Sequence, residues 1–259
     1  MADIRTFFAT VEGQPPAKRP KLATAGGGGA ESTGGPRSFF SWNVNSLEPR
    51  CEDRKARAYL QETGHAMPDL VALQETWMAW DTRKRGDLRP LLYGPRLLPP
   101  SALPSPGKRD SLGLDSNDED DGPAGNPPAH NVTGKLDPRS CEVLPVGWAE
   151  ALPFGYWSCC SYKRRAGVGV LSRIEPLSVA WCFPSMAPEY AAEGRYIELE
   201  FTDCYVINVY VPNTGTHRLD ARASGWEAPL LSHIRQLDQR KPVIVLGDFN
   251  VAHAPMDLT

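Results

Sequence analysis

A carboxylate and a carboxamide stand two residues apart at Asp248 and Asn250, directly after the aliphatic run Val243-Ile244-Val245-Leu246 and Gly247. Residues two apart on an extended backbone point to the same side, so both groups would share one cleft while Phe249 turns back into the core. An anionic oxygen can hold a hard cation or take a proton from water. A neutral amide can donate to a developing anion without competing for the metal. The pair therefore suits phosphate chemistry, although Asp-x-Asn also makes an ordinary turn after a strand. Two further sites strengthen the chemical reading. Asn43 and Asn45 stand two apart at the end of the aromatic-rich segment Phe39–Val44, and Glu75 follows the apolar run Leu70–Gln74. A carboxylate just beyond a buried strand is costly to desolvate unless it is paired or metal-bound. Basic contacts to a phosphate backbone could come from Tyr162-Lys163-Arg164-Arg165, with Arg165 leading into the glycine-bearing segment Ala166–Leu171. That glycine pattern lacks both GxGxxG and a following Lys-Ser/Thr, so it is no phosphate-cradling loop.

The elements that must position these groups are short. Val243–Leu246 is an uninterrupted β-branched and aliphatic run that predicts a strand buried on both faces. Leu70–Gln74 reads as a second buried strand, and Arg54–Glu62 as a short helix between it and the first strand. Leu177–Phe183 is a further strand candidate. Tyr196–Phe201 and Tyr205–Val211 predict a hairpin turning at Thr202-Asp203, with Tyr210 and Asn213 near its exit. Trp226, Leu230, Ile234 and Leu237 recur at helical spacing, so a helix packs back before the last strand. A hairpin among these strands argues for a two-sheet α/β sandwich rather than a doubly wound parallel sheet.

Composition is ordinary for a globular protein of 259 residues with a formal net charge of −3. Six acidic side chains and no basic one fall between Asp110 and Asp121, which leaves the remainder mildly basic. Six cysteines without a Cys-x-x-Cys pair read as reduced thiols, and no signal-peptide pattern opens the chain. No apolar run approaches the roughly 18 residues of a spanning helix. These features predict a cytosolic or nuclear protein with no membrane partner, in which Asn131-Val132-Thr133 carries no glycan. Residues 1–36 read as a flexible tail, punctuated by Gly26–Gly29 and Gly34-Gly35-Pro36. Within it, Ile4, Phe7 and Phe8 would share one face of a helical turn fit to plug an apolar pocket on a partner. Pro16–Leu22 carries three basic residues in the manner of a nuclear-import signal, and the predicted location is the nucleus. From about 81 to 150 the pattern dissolves into Pro, Gly and charge, which predicts a disordered acidic insertion within a domain spanning 37–259.

Ser41-Trp42-Asn43-Val44-Asn45-Ser46-Leu47, Leu73-Gln74-Glu75-Thr76, Tyr210-Val211-Pro212-Asn213, Arg218-Leu219-Asp220 and Gly247-Asp248-Phe249-Asn250-Val251-Ala252-His253 occur in this order. Together they resemble the exonuclease III type of apurinic/apyrimidinic endonuclease, over about residues 38–79 and 145–259, and the tail is most similar to the second eukaryotic branch of that family. The resemblance implies a four-layered α/β sandwich that cuts double-stranded DNA 5′ to abasic sites with magnesium, for which manganese can substitute. Action at 3′-blocked ends, as a 3′–5′ exonuclease or 3′-phosphodiesterase, is also implied. By position Glu75 would hold the metal with Asn43 supporting it, and Asp248 and Asn250 would complete the metal site. Tyr210 would contact the scissile phosphate, with Asn213, Asn45 and Arg165 as further substrate contacts. Asp248 would orient or deprotonate the attacking water, and Asn250 would stabilise the transition state. The tail segment Ile4–Phe8 resembles a peptide that binds the sliding clamp, with Met1 where Gln is usual.

Departures accompany the matches. Ser46 stands where the family usually has Gly, Glu48 where a basic residue is common, Trp77 where Lys or Arg is usual, and Thr216 where an Arg is frequent. His253 and Asp257 are read as structural. Family members continue beyond the position of Thr259 through a second Asp and a Ser-Asp-His segment absent here, so the sandwich is expected to be incomplete at the C-terminus. Activity is expected of a completed version, and the 259 residues alone are expected to be inactive and poorly folded. The alternatives are a catalytically inactive interaction protein tethered to the clamp, and another phosphoesterase of the same superfamily.

Overall fold

The computed structural model describes residues 34–47, 67–78, 92–98, 129–136, 144, 147–160, 166–213 and 219–252. Two sheets dominate. The first has six strands in the order β1-β2-β6-β5-β4-β3, formed by β1 (Phe39–Asn43), β2 (Leu70–Gln74), β3 (Leu92–Leu98), β4 (His130–Leu136), β5 (Phe154–Cys159) and β6 (Val168–Ser172). The second has four, in the order β10-β9-β8-β7, from β7 (Ser178–Ala180), β8 (Tyr196–Glu200), β9 (Tyr205–Tyr210) and β10 (Val243–Asp248). Most neighbours are antiparallel. The exceptions are β1 with β2 and β9 with β10, one parallel pair in each sheet.

Alternation along the strands generates three apolar layers. Leu70 and Ala72 of β2, Val168 and Val170 of β6, Ile197 and Leu199 of β8, Val206 of β9 and Ile244 and Leu246 of β10 meet between the sheets. Val71, Leu73, Val132, Trp157 and Leu171 face the other side of the six-stranded sheet, where α1 (Trp148–Ala151) covers them with Trp148 and Ala149. Tyr205, Ile207, Val209, Val243 and Val245 face outward from the four-stranded sheet and pack with Trp226, Leu230 and Ile234, near α2 (Pro188–Ala192). Helix, sheet, sheet and helix thus stack as four layers, the α/β sandwich that the hairpin predicts. The helical run after β9 has three parts: α3 (Leu219–Arg222), a π-helical turn (Ala223–Glu227) and α4 (Ala228–Asp238).

Several expectations change. The span 81–150, read as a disordered acidic insertion, contributes β3 and β4 to the larger sheet and holds the start of α1. Proline and glycine hid these strands: β3 carries a Gly94-Pro95 irregularity in its register with β4, and β4 contains Gly134. Domain contacts begin before residue 37, because the Gly35 N–H donates to Asp203 Oδ1 at 2.6 Å and Arg37 pairs with the same carboxylate at 2.5 Å. Strand β10 is half-buried along its length rather than buried on both faces, since it is an edge of its sheet among the described residues. Ile4, Phe7, Phe8, Pro16–Leu22, Arg54–Glu62, Glu48, Arg165, Thr216, His253 and Asp257, for which the sequence carries expectations, lie outside the described residues.

Candidate active site

Both parallel pairs run out at the same edge of the sandwich, and their inward-facing residues turn from apolar to polar as they do so. In register, Asn43 lies beside Gln74 and Tyr210 beside Asp248. The first polar step is buried at Gln74 and Asn208. Gln74 Nε2 donates to Asn208 Oδ1 at 2.7 Å and to Ser41 Oγ at 3.2 Å, and Asn208 Nδ2 donates to the carbonyls of Leu73 and Gly169 at 3.0 and 2.9 Å. This amide pair joins the two sheets, and every buried polar atom named here has a partner.

One step further out, Asn43 Nδ2 donates to Glu75 Oε1 at 2.7 Å and to Asp248 Oδ2 at 2.8 Å. A single carboxamide therefore holds one carboxylate from each sheet. Its own oxygen is oriented by the Asn45 backbone N–H at 3.0 Å. Glu75 sits at φ 51°, an unfavourable conformation for a non-glycine residue. Flanking backbone bonds impose it: Val44 N–H to Gln74 O at 3.0 Å, Ser46 N–H to Glu75 O at 2.8 Å, Leu47 N–H to Thr76 O at 3.0 Å and Thr76 N–H to Gly167 O at 3.1 Å. The turn directs the carboxylate into the space between the sheets.

Tyr210 closes β9 with its hydroxyl hydrogen-bonded to Glu75, and Arg195 lies over its ring, 4.5 Å from the centroid. Burial pushes the Tyr210 pKa up; Arg195 pulls it down, and the Glu75 charge and hydrogen bond raise it again. The phenol is thus a neutral donor across the physiological range. Arg195 is itself buried, ion-paired through Nε to Glu193, and donates to the Tyr210 carbonyl at 3.3 Å. Gly194 between them, at φ 66°, lies so close to β5 that a Cβ would come 2.6 Å from the Ser158 carbonyl oxygen. The Glu193-Gly194-Arg195 turn is in this way locked beneath the tyrosine.

Asp248 and Asn250 do not form the extended side-by-side pair that their spacing predicts. The Asn250 N–H donates to Asp248 Oδ1 at 2.8 Å, and Asn250 Nδ2 donates to the Val211 carbonyl at 2.7 Å. Asn250 has φ 48°, so the chain leaves the strand in a tight turn around the carboxylate. The same turn makes Phe249 42% exposed instead of a core residue. Gly247 precedes it at φ 138°, where a Cβ would fall 2.0 Å from the Val209 carbonyl oxygen. Asn213 lies exposed two residues beyond Val211.

Asn43, Glu75, Tyr210 and Asp248 thus converge, with Asn45 and Asn250 anchoring them by backbone and side chain. Among the described residues no group of three or more His, Cys, Asp and Glu side chains is placed to hold a metal ion. The donor set still fits a hard divalent cation. Each carboxylate oxygen that accepts one hydrogen bond keeps a lone pair, and Glu75 and Asp248 present theirs within reach of one amide. The Asn43 N–H₂ bridges the two carboxylates, and its oxygen accepts from the Asn45 N–H. Asn250 likewise commits its amide N–H₂ to Val211. The spacing argument missed Asn208, Arg195 and Arg222. Asn208 was findable as the one carboxamide inside the apolar run Tyr205–Tyr210, two residues before the tyrosine.

The model of the Endonuclease/Exonuclease/phosphatase family matches residues 40–259. An exodeoxyribonuclease of Bacillus subtilis is 46% identical over 105 residues, 40% of each chain. A DNA-(apurinic or apyrimidinic site) endonuclease of Dictyostelium discoideum is 37% identical over 99 residues, 37% of this chain and 27% of the relative. The DNA repair nuclease APEX1 of Danio rerio is 38% identical over 109 residues, 41% of this chain and 34% of the relative. The matches thus span two fifths or less of these curated relatives. Among solved structures, an AP endonuclease from Archaeoglobus fulgidus is similar at TM-score 0.47 and 18% identity, over 86% of this chain and 60% of that one.

Proposed function

Since the chain belongs to the Endonuclease/Exonuclease/phosphatase family, we propose that it forms the active site of a DNA repair nuclease. The reaction is hydrolysis of the phosphodiester 5′ to an abasic site in duplex DNA. Action on 3′-blocked ends would use the same bond chemistry. Relatives named exodeoxyribonuclease and apurinic/apyrimidinic endonuclease support this reading. The observation that carries it is the Asn43 amide holding Glu75 and Asp248, one carboxylate from each sheet, beside the Tyr210 hydroxyl.

Hydrolysis of a phosphodiester needs an in-line water, positive charge at the non-bridging oxygens and a stabilised leaving oxygen. Asp248 orients the water and accepts its proton as the new P–O bond forms and the bond to the 3′ oxygen breaks, and the departing 3′ oxygen takes a proton from solvent. Tyr210, neutral and seated beside Glu75 and Arg195, turns its single O–H from Glu75 to a phosphate oxygen when substrate binds. Asn43 keeps the two carboxylates at a fixed separation against their mutual repulsion. Magnesium, or manganese in its place, would be held by Glu75 and Asp248 and would supply charge neutralisation at the phosphate. Asn213, exposed beyond Val211, is a phosphate contact in this reading, and Arg165 is another. The proposal extends to nuclear residence through Pro16–Leu22 and to a sliding-clamp partner through Ile4, Phe7 and Phe8.

The test uses the whole protein, a duplex with one abasic site, an intact duplex and a phosphomonoester. The expected result is one magnesium-dependent cut 5′ to the lesion. Preference for the phosphomonoester, or no cleavage of any DNA, would overturn the reading.

A further inference from the structure

The loop that carries Asp248 and Asn250 has little apolar packing of its own, for Phe249 and Val251 are 42% and 50% exposed. What grips its backbone is Arg222, 5% exposed at the end of α3. One guanidinium nitrogen donates to the Phe249 carbonyl at 2.7 Å and another to the Asn250 carbonyl at 3.0 Å. The third, Nε, donates to Glu227 Oε1 at 2.7 Å. Only a planar fork of donors can take two successive carbonyls while a carboxylate fixes its third edge.

The reach of Glu227 depends on the irregular turn. In an α-helix, residues five apart are separated by roughly 140° around the axis and do not meet. Here the backbone widens into the π-helical turn Ala223–Glu227, closed by an Ala228 N–H to Ala223 carbonyl bond, and Arg222 and Glu227 fall together. The sequence supplies the cause. Pro229, at the start of α4, has no N–H to continue an α-helical ladder, and its ring would crowd the carbonyl four residues earlier. A wider turn relieves that conflict.

We propose that Arg222 and Glu227, brought into register by the π-helical turn at Pro229, form a clamp that positions the Asp248–Asn250 loop for the reaction. Neither residue touches the reacting atoms; both are positioning residues. The catalytic half of this inference rests on the nuclease reading, whereas its structural half does not.

The experiment compares the whole protein with Arg222→Lys, Glu227→Gln and Pro229→Ala, reading amide hydrogen exchange and cleavage kinetics. Lysine keeps the charge but cannot span two carbonyls. Exchange of the Asn250 amide in Arg222→Lys is expected to rise about tenfold by local opening, while the amides of β2 and β6 stay unchanged. The kcat should fall about tenfold with KM within about twofold, as expected when geometry rather than binding is lost. Pro229→Ala gives the sharper signature: exchange slows around Gly225–Pro229 yet quickens at Asn250, and kcat falls. Unchanged exchange at Asn250 in both Arg222→Lys and Pro229→Ala would overturn the clamp. Should Arg222→Lys fail to fold, Glu227→Gln decides on the same readout. Faster exchange in a protein that cleaves no DNA would uphold the clamp and reject the nuclease reading.

Discussion

Strand β2 is buried along its whole length inside the six-stranded sheet, whereas β10 is half-buried throughout and, among the described strands, lies at an edge of the four-stranded sheet. Both end in a carboxylate of the same site, yet they are held by different means. Glu75 follows a strand fixed by core packing and by the Gln74–Asn208 bridge. Asp248 precedes an exposed turn fixed by discrete polar contacts: Asn250 to Val211, the Asn250 N–H to Asp248, and Arg222 to two carbonyls. Disturbing the supports of the first side should lower stability. Disturbing those of the second should lower the rate while leaving the fold standing.

The largest expected effect comes from the charges themselves. Asp248→Asn keeps an oxygen for Asn43 but removes the anion, and Glu75→Ala removes its partner. Each should slow cleavage of an abasic duplex by the whole protein by about a hundredfold or more, with little change in melting temperature. Near-normal rates in either variant would break the comparison at its root.

Next comes Asn208→Leu, which removes the short acceptor of the buried Gln74 amide and the side-chain donor to the Leu73 and Gly169 carbonyls. Each buried group left unpaired costs about 1–3 kcal/mol. At about 2–4 °C per kcal/mol for a domain of this size, a fall of several degrees in thermal unfolding is expected. No fall would mean that the bridge contributes nothing to holding the sheets in register.

A smaller effect is expected at Arg195. Arg195→Met removes the cation over the Tyr210 ring and the ion pair of Arg195 with Glu193. The rate should drop about tenfold, Tyr210→Phe should drop it by a similar factor, and the double variant should be little worse than either. Fully additive losses would separate Arg195 from the tyrosine.

The smallest effect concerns the end of the second sheet away from the site. Lys241 donates a hydrogen bond to Glu200, which, against some burial, holds that carboxyl below its ordinary value; Ser178 and Tyr205 assist. A depressed carboxyl contributes stability that is present above its unfolded pKa and is lost as pH falls through the folded one. Unfolding followed from neutral pH to below pH 4 should therefore show a shallower acid limb in Lys241→Met, with cleavage at neutral pH unchanged.

Much of this was legible in the chain. Leu70–Gln74, the hairpin at Thr202-Asp203 and the helical spacing of Trp226, Leu230 and Ile234 appear where their patterns place them, because each pattern reports which faces of its element are buried. Asn43, Glu75, Tyr210 and Asp248 were visible as polar groups at strand ends. What could not be read was which of them would touch. That depends on two parallel pairs in different sheets finishing at one edge, a long-range fact with no local signature. The Asp248–Asn250 turn departs from the spacing because the strand pairing ends at Asp248 and Asn250 turns back at φ 48°. Strands β3 and β4 were hidden by Pro95, Gly94 and Gly134, residues that weaken the period-2 signal without preventing pairing along a sheet. Arg222 carried no signal at all, since its role arises from a π-helical turn caused by a proline seven residues later.

The central claim is that Glu75 and Asp248, from different sheets, act as one unit joined by Asn43. A double-mutant cycle on the cleavage rate of an abasic duplex tests it, using Glu75→Gln, Asp248→Asn and the pair together in the whole protein. Groups that act as a unit lose most of their effect at the first removal, so the double variant should be within about threefold of the slower single variant. A double variant slower by the full product of the two single losses would show two independent contributions and contradict the account.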